Sequence, residues 1–366
     1  MPHPRRALEI ACLLLAVTLG APALAVEVEV VAEDLDQPWA LAFLPDGGYL
    51  VTLRGGTLLR LDADGAVAAE IAGVPEVYTG GQGGLMDVVL DPAFPENGRV
   101  YLSYAHGELR ANATRVHAAT LDGDVLSDGE TIFEARPLKT TPQHYGARMA
   151  FLADGTLLLT TGDGWDHRED AQRTSGLLGK VVRIRSDGSI PDDNPFVGDP
   201  DAADEIWSYG HRNPQGLAVA TDGTVWQHEH GPAGGDEINR IEAGTNYGWP
   251  VATHGMDYIG ARISPFETYP GMREPDLFWT PSIAPSGLAW YDGEAFPEWR
   301  GDLLVGGLAI VGLHLVTVED GRATVSERVV PEVDERVREV RAGPDGLVYL
   351  LTDGPGGRLL RLAPDG

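Results

Sequence analysis

The 366-residue chain has one cysteine, Cys12, and only two lysines, Lys139 and Lys180. A single cysteine excludes an internal disulfide framework, and its place near the N-terminus removes cysteine catalysis from the rest of the chain. Positive charge is scarce as well: 27 Lys and Arg stand against 55 Asp and Glu, a formal net charge of −28. Such a surface repels nucleic acid and acidic membranes, so neither is an expected partner. Long apolar runs are missing apart from Ile10 to Leu19, which is too short for a comfortable membrane span. Sustained helical periodicity is also scarce, which argues against an α/β barrel. Stability must therefore come from packing, and the chain is long enough to bury a large core.

What the N-terminus does contain is Arg5-Arg6, the apolar run, and then Ala23-Leu24-Ala25. This order predicts an export signal, residues 1–25, cleaved after Ala25, with a single domain over residues 26–366 in the periplasm or secreted. A lipoprotein reading of Cys12 is disfavoured because Glu9 occupies an apolar position of such a signal.

One theme recurs along the rest: a short apolar strand, a tight polar turn, a second apolar strand. It is centred on Asp46-Gly47, Asn97-Gly98, Asp154-Gly155, Asp222-Gly223, Asp292-Gly293 and Asp345-Gly346, at spacings of roughly 50–70 residues. A further strand follows most of them, for example Leu58–Leu61, Val181–Ile184 and Leu359–Leu362. Six units of about four strands predict an all-β fold, a six-bladed β-propeller with four-stranded antiparallel blades. The strand Val26–Val31 is expected to close the ring against the last blade.

Pairing outward from each turn gathers the unusual polar residues at one mouth of the channel. His144 falls beside Asp163, and a carboxylate on one ring nitrogen leaves the other as a base. Arg212 and Asn213 fall near Gly231-Pro232, and Arg336 and Arg338 beside Asp353. Three arginines converging in an acidic chain point to an anionic ligand. No serine or cysteine falls close enough for a nucleophilic triad.

The segments Gly80-Gly81-Gln82-Gly83-Gly84-Leu85, His144-Tyr145-Gly146-Ala147-Arg148, Gly210-His211-Arg212-Asn213-Pro214-Gln215-Gly216, His230-Gly231-Pro232, Asp236-Glu237-Ile238-Asn239, Asn246-Tyr247-Gly248-Trp249-Pro250 and Arg336-Val337-Arg338 together carry a resemblance. Over nearly the whole length after residue 25, the chain resembles the soluble sugar dehydrogenases that use pyrroloquinoline quinone (PQQ), and within them the aldose sugar dehydrogenases. The resemblance implies oxidation of an aldose at its anomeric carbon to the lactone, with hydride passing to the quinone and electrons to an unidentified external acceptor. It implies His144 as general base, oriented by Asp163, and Arg212 at the quinone oxygen. Gln82, Asn213, Arg336 and Arg338 would hold the cofactor. The carbonyls of Gly231 and Pro232 would bind a Ca2+ ion that touches the cofactor, and Glu237 with the Tyr247 backbone a second, structural one.

Ala309 stands where relatives carry a lysine near the cofactor, so that contact is expected from elsewhere, with Arg148 the candidate. Short connections between blades imply an open mouth and broad aldose specificity, and the lack of a long apolar edge or helical seam makes a monomer the expectation. Two rival readings are a calcium-dependent propeller lactonase, which needs a cage of several carboxylates in the channel, and a non-catalytic binding propeller, which needs no His144–Asp163 pair.

Overall fold

Four of the repeated turns share one chemistry. At Asp46-Gly47, Asp154-Gly155, Asp222-Gly223 and Asp345-Gly346, the aspartate carboxylate accepts the N–H two residues on, at 2.8–3.1 Å. The glycine between takes φ of 79–88°, a left-handed conformation that costs glycine nothing. The turn at Asp292-Gly293 is longer and is anchored instead by Phe296 and Trp299, buried rings stacked 4.3 Å apart. These turns join apolar strands with few exposed residues, which can be buried only between neighbouring sheets.

The computed structural model describes residues 26–365, so the expected leader and Cys12 lie outside it. The described residues form six four-stranded antiparallel sheets arranged as a propeller. Five blades are continuous in sequence. The sixth joins Val337–Ala342, Val348–Thr352 and Gly357–Pro364 to the N-terminal strand Val26–Leu35. That strand pairs antiparallel from Val26 opposite Pro364 to Leu35 opposite Gly357, as the sequence reading expects. No described helix is long and apolar enough to cross a membrane.

The innermost strands are Pro38–Phe43, Leu85–Leu90, Gly146–Phe151, Pro214–Val219, Pro285–Tyr291 and Val337–Ala342. Each shows a register shift close to its first residue. A bulge there bends the strand and re-aims its first side chains, so all six strand starts are shaped alike at one mouth. The core lies between blades rather than in the channel. Trp39, Leu50, Leu85, Val100 and Tyr145 form one such layer, and Leu304, Val340, Leu350 and Leu360 another.

Polar side chains then stitch successive blades together from the first to the sixth. Thr52 donates to the Met86 carbonyl (2.5 Å) and Ser103 to that of Ala147 (2.7 Å). Thr160 donates to the Pro214 carbonyl at 3.4 Å, and Ser286 to that of Val337. Between the fourth and fifth blades the link is the buried imidazole of His228, 3.4 Å from the Gly287 carbonyl. Gly216 makes room for that ring, since a Cβ there would lie 2.2 Å from the imidazole.

Four charges meet inside the channel from three different innermost strands. Arg341 lies 2.9 Å from Asp87 and 3.3 Å from Glu339. Arg148 pairs with Glu339 and lies 3.7 Å from Asp87. Asp87 also accepts the Met149 N–H at 2.8 Å. Burial pushes the Asp87 carboxyl up, opposed by Arg341 and Arg148.

Removing one partner of a buried ion network leaves an uncompensated charge. Arg148→Met is therefore expected to destabilise the fold by about 3–5 kcal/mol. Urea unfolding would read this as a lowered midpoint, and a midpoint equal to that of the parent chain would mean that the network contributes nothing.

Candidate active site

The mouth residues lie on the loops that lead into the innermost strands and on the ends of the second strands. His144 precedes Gly146–Phe151, and Asp163 follows Leu157–Thr161. The two backbones touch because residue 162 is glycine: a Cβ there would lie 2.2 Å from the His144 carbonyl oxygen. His144 Nδ1 lies 2.6 Å from Asp163 Oδ1, and its backbone N–H donates to Gln82 Oε1 at 2.8 Å. With Nδ1 engaged, Nε2 is the nitrogen left for the neighbouring cavity, of about 280 Å3, which His144 lines with Asp163, Arg212 and Trp249.

Asp163 is held by more than the histidine. Its Oδ1 accepts the Trp165 N–H (2.8 Å), its Oδ2 accepts Trp249 Nε1 (2.7 Å), and its own N–H donates to the Arg212 carbonyl (2.8 Å). Burial pushes its pKa up, but the hydrogen bond and charge of His144, with Arg212 and the Trp165 N–H, hold it below the usual value. Burial pushes His144 down. Asp163 opposes this, and the nearby Arg212 and Lys139 charges add to the lowering. At neutral pH the pair is thus a neutral imidazole oriented by a carboxylate, which is what a general base requires.

Lys139 sits behind this pair, fully buried. Its Nζ donates to Asn112 Oδ1 (2.8 Å) and to the carbonyls of Thr141 (3.0 Å) and Gln143 (2.9 Å), and lies 3.1 Å from the Tyr145 ring centre. Burial pulls its pKa down to about 6. Three oxygen acceptors, however, need the three N–H groups that only the ammonium carries. The cage fixes the loop that presents His144. Sequence reading gave the lysines no role, and their rarity was the available signal.

Arg212 is buried between two indoles, 5.7 Å from the Trp165 ring and 5.3 Å from that of Trp249. Its Nη1 donates to the carbonyls of His230 (3.0 Å) and Gly231 (2.8 Å). A second cavity, of about 360 Å3, adjoins this region. Its lining includes Gln82, Asn213, Arg336 and Arg338, which the sequence had grouped, and also Arg54 and Trp39, which it had not. Arg336 and Arg338 both pair with Asp353, at 2.8–2.9 Å. Arg336 also donates to the Leu308 carbonyl at 2.8 Å.

Arg148 is a correction. It does not line this cavity: its guanidinium stacks 4.0 Å from Trp39, donates to the Gln215 carbonyl (2.8 Å) and pairs with Glu339. It lies behind the cavity wall, in the charge network of the channel. It is thus not free to replace the contact missing at Ala309, which is exposed.

Two buried carboxylates complete the region. Burial raises Glu229 to about 8, although it accepts the Arg212 N–H at 2.5 Å. Burial and the Glu229 charge raise Glu237 well above the usual value. Glu237 and Tyr247 line a small void of about 10 Å3 together with Glu267 and Thr268. Nearby, the buried Asn239 Oδ1 has no partner among the described residues.

The family described as Glucose / Sorbosone dehydrogenase matches residues 35–361. The chain is 43% identical over 352 residues to the aldose sugar dehydrogenase YliI of Escherichia coli, covering 94% of each. It is similar to the crystal structure of the soluble aldose sugar dehydrogenase from Escherichia coli in its apo form, with TM-score 0.90, 41% identity, and 93% and 100% of the two chains covered. It is also similar to the PQQ-bound form of aldose sugar dehydrogenase from Streptomyces coelicolor, with TM-score 0.77, 30% identity, and 94% and 100% covered.

Burial holds His211 and His228 neutral in the fold, down to about 3. Above the ordinary histidine value of about 6.5 neither state is protonated and this source of instability is absent. As pH falls below that value the unfolded chain takes up protons that the fold refuses, so stability falls by about 1 kcal/mol per pH unit for each histidine. Melting temperature is expected to drop between pH 6.5 and 5, with a shallower slope in His228→Gln. An identical slope in that variant would remove His228 from the account.

Proposed function

The chain belongs to the glucose / sorbosone dehydrogenase family, and from that premise we propose that it is a PQQ-dependent dehydrogenase that oxidises aldose sugars at the anomeric carbon. The observation that carries this is the His144–Asp163 pair, 2.6 Å apart, beside an arginine-lined cavity in a protein otherwise rich in carboxylates. A flat anionic cofactor fits that cavity. Arg54, Arg336, Arg338, Asn213 and Gln82 supply donors, while Trp39 and Tyr145 supply aromatic surface. When bound, PQQ supplies a two-electron acceptor for the hydride that leaves the sugar.

Each remaining role belongs to the protein. His144 takes the proton of the anomeric hydroxyl on Nε2, and Asp163 stabilises the imidazolium that forms. Gln82 fixes the His144 backbone through the 2.8 Å hydrogen bond to its N–H. Arg212 places a permanent positive charge beside the base, oriented before substrate arrives by the His230 and Gly231 carbonyls. The sugar leaves as its lactone, having lost two electrons and two protons, and the electrons pass to an acceptor outside the chain.

The residues suit two calcium ions. At the mouth, the Gly231 carbonyl accepts from Arg212 but retains a second lone pair, and Pro232 adds another carbonyl. A cation held there acts as a Lewis acid. At the second position, the buried Glu237 carboxylate beside Tyr247 has, among the described residues, only a 3.5 Å hydrogen bond from Asn239 and another carboxylate for a neighbour. Hard cations favour such oxygen sets. Among the described residues no group of three His, Cys, Asp or Glu side chains forms the carboxylate cage that a propeller lactonase needs.

The site also has to be reached by its cofactor and calcium in the compartment where the protein works. We assign that compartment to the cell exterior or periplasm from the first 25 residues. Removing them leaves Val26, the first partner in the closing strand, in place.

Dye-linked oxidation of glucose by protein reconstituted with PQQ and Ca2+ is the direct test. Activity is expected only with both, and to fall about 10^3–10^4-fold in Asp163→Asn, which presents the wrong partner to His144. Because burial lowers the His144 pKa, the acid limb of kcat/KM is expected below pH 6.5. Activity without PQQ, or hydrolysis of lactones in its place, would overturn the assignment.

Calcium binding has its own readout. Ca2+ is expected to raise the melting temperature of the cofactor-free protein, and Glu237→Gln to shrink that rise. A Ca2+ response unchanged in Glu237→Gln would exclude this residue as a ligand.

A further inference from the structure

The backbone that presents the base is left-handed at three positions. His144 has φ of +49°, Gly146 of +66° and Ala147 of +83°. Glycine adopts this region freely, but histidine and alanine there set Cβ against the following carbonyl oxygen. Such a backbone persists only where its surroundings over-determine it. Gln82 supplies one hold: its N–H donates to the Pro142 carbonyl, and its Oε1 accepts the His144 N–H, both at 2.8 Å. The other hold is Lys139.

Lys139, Asn112 and Tyr145 are all buried. The Lys139 Nζ donates to the Thr141 and Gln143 carbonyls, at 3.0 and 2.9 Å, just ahead of His144 in the chain. Its third bond, at 2.8 Å, runs to Asn112 Oδ1 in the second blade. That amide is fully committed. Its oxygen also accepts the Tyr145 hydroxyl (2.8 Å), and its nitrogen donates to the Glu108 and Leu109 carbonyls (2.9 and 3.1 Å). It therefore cannot turn an N–H toward Lys139. A neutral amine would aim its lone pair at one of three oxygens, so the cage selects the ammonium, and the Asp163 charge favours it too.

The same side chain reaches the partner of the base. A Cβ at Gly164, directly after Asp163, would lie 3.0 Å from the Lys139 Cδ. Thr141 ties the two segments together by donating its hydroxyl to the Gly164 carbonyl. One buried cation thus packs against the segments that carry both His144 and Asp163. The charged and titratable groups around His144 are Asp163, Arg212, His230 and Lys139. Arg212 lines the cavity of the base, whereas Lys139 lines neither cavity of the mouth, so its charge acts on the pair rather than on a ligand.

We propose that Lys139 is a positioning residue of the oxidation: its ammonium holds the strained loop so that His144 meets Asp163, and its charge keeps His144 free of a proton until the sugar supplies one. This rests on the aldose dehydrogenase reading of the His144 site. A nearby cation disfavours the imidazolium, so removing it raises the His144 pKa. The loop and the charge are separable by substitution. Lys139→Gln keeps N–H donors without charge, and Lys139→Met keeps neither.

The test compares pH profiles of glucose oxidation by the PQQ- and Ca2+-loaded parent, Lys139→Gln and Lys139→Met, with thermal melting to confirm that each folds. The acid limb of kcat/KM is expected to move to higher pH in both variants. In Lys139→Met kcat is expected to fall about 10^2-fold with little change in glucose KM, and Lys139→Gln to recover part of that loss. An acid limb in folded Lys139→Gln that coincides with the parent's, while the parent oxidises glucose, overturns the proposal alone. Oxidation of no sugar by the loaded parent overturns the dehydrogenase reading. In that event, NMR titration of the histidine rings in the cofactor-free protein decides the role of Lys139, with the His144 signal assigned by its loss in His144→Gln. A higher His144 pKa in Lys139→Gln supports the proposal, and an unchanged one overturns it.

Discussion

Ring closure is the constraint on which the molecule depends. Each blade buries its apolar faces only against its two neighbours, so an open ring would leave two of them wet. Closure comes from pairing the two ends of the described chain, Val26–Leu35 against Gly357–Pro364, in one sheet. Because these strands are far apart in sequence, the loop-closure entropy is overcome only when the whole ring has packed. All that happens at the mouth presupposes this, since His144, Arg212 and Arg336 belong to three separate blades.

The second organising fact is how the molecule treats positive charge. In an acidic chain the few buried cations are each enclosed by oxygen. Lys139 has an amide and two carbonyls, Lys180 three carbonyls at 2.6–3.0 Å, and Arg148 the Glu339 carboxylate with the Gln215 carbonyl. These cations act as struts, tying loops to blades in place of disulfides. Arg212, Arg336 and Arg338 differ because they also border the cavities of the mouth. One residue type thus serves as scaffold a layer down and as binding surface at the wall, and only depth separates the two uses.

Depth is also where reading the sequence succeeded and where it stopped. The Asp-Gly turns were legible because a tight hairpin demands a left-handed residue and an acceptor beside it, and both show in the letters. Pairing outward from those turns brought His144 to Asp163, because antiparallel register is arithmetic once the turn is known. The same arithmetic could not say whether a side chain at the mouth points into the cavity or behind its wall. Arg148 sits four residues after His144, yet faces Glu339 from another blade. Trp249 likewise reaches Asp163 across 86 residues of sequence, and no local pattern specifies that contact.

By itself, then, the sequence determined the number of blades, the direction of their hairpins, the closing strand and the pairing of the base with its carboxylate. These follow from short apolar runs and turn chemistry, which act over a few residues. Tertiary structure alone decided which arginines border the cavities of the mouth, that Lys139 braces the loop of the base, and that Trp165 and Tyr258 meet face to face. Those outcomes depend on where six blades converge, and the distance between residues on different blades is set by the packing of the whole ring.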